Sequence, residues 1–196
     1  MRSSYTRLAA ISAASLKPSA HKCCQHYADE KRGGSMTVTL KDVLVISLEE
    51  IYGAEVRILE TLPKLATAAS SVNLQLAFLE HWQQAERHVG RLNKVCQLVG
   101  LVPGGETGAA FECLIEECKD FMEELERGPV RDAALIGAVQ KIEHYEIATY
   151  AALCSVLKAM GETKVADLMA QTLKEESEVD AVLAQIAEHE VNPDAA

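Results

Sequence analysis

Glutamates interrupt the apolar helical stripes of this chain. In AVQKIEHYEIATYAALCSVL, residues 138–157, a 3.6-residue period places Val139, Glu143, Glu146, Tyr150, Leu153 and Leu157 on one face. A parallel stripe joins Leu135, Val139, Ile142, Glu146, Thr149, Leu153 and Val156. Glu55 stands among Leu44, Leu48, Ile51, Ile58, Leu62 and Leu65, and Glu86 among Leu79, Trp82, Val89, Asn93 and Cys96. Glu176 stands among Met169, Thr172, Val179, Leu183 and Ile186. Glu55 and Glu86 are 31 residues apart, and Glu146 and Glu176 are 30 apart. Two hairpins of equal helices would therefore hold these pairs at matching heights.

A lone glutamate on such a stripe usually sits at its edge, with its head group in water. Five on four helices call for another explanation. An unpartnered buried carboxylate costs roughly several kcal/mol or takes up a proton. Five together would consume a domain stability of about 5–15 kcal/mol, and the stripes hold no Lys or Arg to offset them. Two di- or trivalent cations would bring about four to six positive charges, and oxygen ligands suit iron or manganese. The chemistry expected is that of a dinuclear metal centre, with two irons per chain or manganese in their place.

The elements that must position these residues are helices. Five per cent aromatic residues and 24% charged residues, with no clear strand alternation, favour an all-α chain. Helices are expected over about 40–69, 72–99 with Ser71 as N-cap, 107–127, 130–160 and 163–190. Pro63 is expected to kink or break the first. Gly128-Pro129 restarts the chain, and Gly161 caps a C-terminus. Short links join the first two long helices and the last two. The longer middle passage carries the short acidic helix, whose IEECKDFMEELE reads as a solvated face. This is the plan of an antiparallel four-helix bundle with one long crossover, a ferritin-like arrangement.

Charge is uneven. Residues 1–35 carry +4 and residues 36–196 carry −14, for a net −10. So acidic a body speaks against nucleic acid and anionic membrane surfaces as partners, and no apolar run approaches a membrane span. Residues 1–37 read as an extension outside the fold: transit-like in composition, preceding a true start at Met36, or a disordered arm. His21, Cys23, Cys24 and His26 within it look like a metal cluster only on paper. Residues 38–190 form the bundle and 191–196 a tail. Cysteine spacing shows no disulfide framework, in keeping with a reducing, cytoplasmic setting. Cys96 and Cys154 read as small buried hydrophobes.

YGAE at Tyr52–Glu55, LPKLA at Leu62–Ala66 and HWQQAERHVGRL at His81–Leu92 resemble the YciE/YciF-like bacterial stress proteins. So do GPVRDAALIGAVQKIEHYEIATY at Gly128–Tyr150 and TLKEESEVDAVL at Thr172–Leu183. The resemblance spans residues 38–190 and implies the ferritin-like superfamily near rubrerythrin, usually dimeric. That pattern implies metal-binding glutamates at Glu55, Glu86, Glu143, Glu146 and Glu176. It also wants histidine where Val89 and Val179 stand, which is at odds with standard di-iron oxygen chemistry. Asp180, one turn after Glu176, is a replacement ligand. Tyr52, Tyr150 and His144 are expected to support the carboxylates, whereas His81 and His88 fall off the chosen stripe.

Two functions compete. One is a stress-associated dinuclear metal protein acting on a small oxidant or ferrous iron, with oxidase, peroxide or ferroxidase chemistry. The other is a non-enzymatic homodimeric scaffold with a degenerate site. Iron storage in a hollow shell is a third reading, which would require a large cage.

Overall fold

A computed structural model of the chain describes residues 39–196. The extension, with its His21, Cys23, Cys24 and His26, lies outside the described residues. Four long helices dominate: α1 (Leu40–Ala68), α2 (Val72–Leu98), α4 (Pro129–Ala159) and α5 (Thr163–Ile186), with the shorter α3 (Ala109–Glu124) in the crossover. The last helix continues through a π-helical turn, Ala187–Val191, into α6 (Asn192–Ala195). Among the described residues no strand is present and no helix is long and apolar enough to cross a membrane.

Each boundary has a local cause. Thr39 and Asp42 form a capping box at the start of α1. Ser71 Oγ accepts from Leu74 N to start α2, and Pro129 occupies the first turn of α4. Gly161 follows α4 at φ +83°, a conformation that favours glycine. Pro63 does not end α1, which runs unbroken to Ala68. Leu62 and Leu65 on either side of it are fully buried, so tertiary packing outweighs the missing N–H.

Helices α1 and α2 pack as one antiparallel hairpin and α4 and α5 as the other; α2 also lies against α5, and α1 against α4. Helix α3 covers α4 and part of α1. The crossover is pressed onto α1: a Cβ at Gly53 would come within 2.6 Å of the backbone of Glu106 and Thr107. One at Gly105 would come within 2.1 Å of Glu49 O. The core is a continuous set of Leu, Ile, Val, Ala and Phe side chains from all five helices.

Helix α2 departs from its expected register. Its buried line is Leu74, Phe78, His81, Ala85, His88, Leu92 and Val95, while Leu79 is 42% exposed. The burial of α1 follows the expected stripe from Leu44 to Leu65, and that of α5 follows Met169, Thr172, Glu176, Val179 and Leu183.

Candidate metal centre

Four glutamates meet in the middle of the bundle: Glu55 from α1, Glu143 and Glu146 from α4, and Glu176 from α5, none of them exposed to solvent. Helix α2 contributes His81 and His88, which are equally buried. Seven residues apart, the two histidines share a helix face, with their Cα atoms about 10 Å apart along the axis.

The six side chains form two groups. His81, Glu143, Glu146 and Glu176 offer ligand atoms within 4.8 Å of one another, and so do Glu55, His88 and Glu176. Glu176 belongs to both. His81 Nε2 lies 3.1 Å from Glu143 Oε1, and its Nδ1 lies 4.0 Å from Glu176 Oε2. His88 Nδ1 lies 2.8 Å from Glu176 Oε1 and 3.2 Å from Glu55 Oε1. Tyr150 donates its hydroxyl to Glu55 Oε1 at 2.5 Å.

Proximity has not produced satisfaction. Both oxygens of Glu143, Glu146 and Glu176, Glu55 Oε2, both ring nitrogens of His81 and Nδ1 of His88 lack an aligned hydrogen-bond partner. Such groups normally find one. Burial, reinforced by the neighbouring carboxylates, raises Glu146 well above the ordinary range. Burial raises Glu143 to about 8, with Glu55 and Asp180 adding to it. Glu55 and Glu176 are also raised by burial, although His88 opposes the shift. His88 itself is pulled down by burial but lifted further by Glu176 and Glu55, to about 10. Burial lowers His81 and raises Tyr150.

Some expected members lie elsewhere. Glu86 is on the exposed face of α2, two residues from His88 and so about 200° around the helix from it. Asp180 is partly exposed, accepts from Gln140 Nε2 at 2.9 Å and lies 3.7 Å from His144 Nε2. His144 is 68% exposed and faces Asp180 rather than the central glutamates. Tyr52 donates to Asn93 Oδ1 at 3.2 Å instead of to a carboxylate. Val89 and Val179 supply no imidazole, and the two that reach the centre are His81 and His88. The signal for them was present in the line Phe78, His81, Ala85, His88, Leu92 and Val95, itself spaced at helical intervals.

This donor set fits two divalent cations. Four carboxylates balance two such ions, and two imidazoles supply a nitrogen donor to each group. Ligands about 2.0–2.2 Å from one ion lie no more than about 4.4 Å apart, so small side-chain movements would close either group.

The family described as Domain of unknown function (DUF892) matches residues 39–196. The chain belongs to that family. Within it the similarity to Protein YciF of Escherichia coli K12 is 38% identity over 155 residues, 79% of this chain and 93% of that protein. The crystal structure of the E. coli stress protein YciF matches with a TM-score of 0.76, covering 80% of this chain and 99% of that one. YcfI of Rhodopseudomonas palustris, a proposed structural protein, matches at 29% identity with a TM-score of 0.75, over 80% of this chain and 99% of its own. A Xanthomonas campestris protein shares the fold at 19% identity and a TM-score of 0.65, over 80% of this DUF892 chain and 97% of its own.

Proposed function

We propose that this YciF-like stress protein binds two divalent metal ions, iron or manganese, between its helices. Glu55, His88 and Glu176 would hold one, and His81, Glu143, Glu146 and Glu176 the other. The observation that carries this reading is the set of buried carboxylate and imidazole atoms without hydrogen-bond partners, contributed by all four long helices. Iron or manganese bound there would supply Lewis-acid and redox chemistry toward a small oxidant. The chain's own part is positional. Glu176 serves both groups, Tyr150 fixes Glu55 through Oε1 and leaves Oε2 available, and the apolar core around them excludes bulk water.

Elemental analysis of the purified chain, after reconstitution with Fe(II) or Mn(II), is expected to give about two equivalents per chain. Protein that stays metal-free under those conditions would overturn the proposal.

One observation favours the scaffold reading. The centre can neutralise itself without metal, because His88 is raised to about 10 between Glu55 and Glu176, and Glu143 is raised to about 8. In a scaffold, Glu146→Ala would leave stability unchanged or improved whether or not metal was added. In a metal protein it would improve only the metal-free form.

A further inference from the structure

The two histidines of α2 are alike in burial and differ in what stands behind them. His88 turns Nδ1 toward Glu55 and Glu176, and its Nε2 meets Glu175 Oε2 at 2.8 Å. Glu175 is gripped from its other side by Arg91, with Nη2 3.1 Å from Oε1 and Nη1 3.2 Å from Oε2. Arg91 Nη1 also donates to Thr172 Oγ1, which ties the guanidinium to the same helix as Glu175. Glu175 and Glu176 are consecutive, so about 100° of helix rotation separates them. One enters the centre while the other enters the groove between α2 and α5.

A carboxylate held in a guanidinium fork offers only lone pairs. The hydrogen in the His88–Glu175 contact therefore belongs to His88 Nε2. With that proton committed, a neutral ring carries its free lone pair on Nδ1, facing Glu55 and Glu176. His81 has only an uncharged counterpart, the side-chain amide of Gln84. Neither ring nitrogen of His81 makes an aligned hydrogen bond, and its near carboxylates, Glu143 and Glu176, are themselves members of the group it would complete.

We infer that Glu175, oriented by Arg91, is a positioning residue that fixes His88 with Nδ1 directed into the Glu55–Glu176 group, making that half the tighter of the two cation positions. The inference rests on the metal-binding reading above. It adds an order of loading: the His88 half fills first and the His81 half second. Supporting carboxylates of this kind typically change metal affinity about 10–100-fold.

The test is a titration of the metal-free full chain with Co(II), followed by calorimetry and by the visible spectrum of the bound ion. The wild type should take up two equivalents in two steps. Glu175→Ala should weaken the first step about 10–100-fold and leave the second in place. Arg91→Ala, which keeps Glu175 but frees it, should weaken the first step by less. In Zn(II)-loaded wild type, nitrogen NMR should show His88 with a protonated Nε2 and a metal-bound Nδ1, and Glu175→Ala should disturb that pattern while sparing His81. Two steps of unchanged affinity in Glu175→Ala would overturn this inference and leave the metal-binding reading intact. If that variant does not fold, an unchanged first step in Arg91→Ala overturns it equally. Wild-type chain that binds no Co(II) would remove both.

Discussion

Asp132 and Glu146 are buried almost equally, at 1% and 0% exposure, and the fold treats them in opposite ways. Asp132 reaches from the first turn of α4 to the turn between α1 and α2. There it accepts from Ser70 N at 2.8 and 3.1 Å and from Ser71 N at 2.8 Å. Those N–H groups precede α2 and have no helical partner, so the carboxylate and the turn complete one another. Glu146 has a partner for neither oxygen. Its surroundings are other carboxylates, Tyr150 and His81. A buried acid that the chain satisfies serves the fold, whereas Glu146, left unsatisfied, is one that the proposed cations would complete.

The contrast breaks most visibly on adding metal. Excess Mn(II) at about 1,000 times its Kd should stabilise the wild type by about 4 kcal/mol, or roughly 8–16 °C in Tm. Glu146→Ala should lose most of that shift while melting no lower than wild type when metal-free. An equal shift in the variant would remove Glu146 from the site. Asp132→Ala should cost about 2–3 kcal/mol because it strands buried donors. Denaturant unfolding should give the same loss with and without metal, and a metal-dependent loss would erase the distinction between the two acids.

A pH series sharpens the comparison. In the metal-free protein Glu143 and His88 have raised folded values, so the native state keeps protons that the unfolded chain has released. Stability should fall as pH rises, from about 4.5 to 8 on account of Glu143 and from about 6.5 to 10 on account of His88. His81, held below 6.5, gives the opposite slope only beneath that value. Metal-loaded protein should instead lose stability on acidification, as protons displace the ions. Melts between pH 5 and 9 that show the same slope for both forms would contradict this. Glu86→Ala is the smallest effect: stability within about 0.5 kcal/mol of wild type and unchanged metal content, both measured on the same preparation.

Most of the fold was legible in the sequence because its signals are local. Caps, proline and glycine positions and 3.6-residue stripes delimit the helices, and on α1, α4 and α5 each glutamate sits among Leu, Ile and Val that leave the buried face in no doubt. Helix α2 was harder for a physical reason. Its true core line carries two histidines and an alanine, while the neighbouring line carries Leu79, Trp82 and Val89 together with a misleading Glu86. Hydropathy favours the second line, and only packing against α1 and α5 reverses the choice. The regular spacing from Glu55 to Glu86 was thus coincidental. Glu175 could not be distinguished from its neighbour by sequence, since its role depends on which residues of α2 face the groove.

Gly53 stands two residues before Glu55, and there the crossover backbone lies flush against α1. The passage between the hairpins is thereby gauged rather than slack. Adding a methyl group at that glycine, or a residue between 104 and 107, would lift the strap and slide one hairpin along the other. Donors brought into line from opposite hairpins would then miss each other by a fraction of a helical turn.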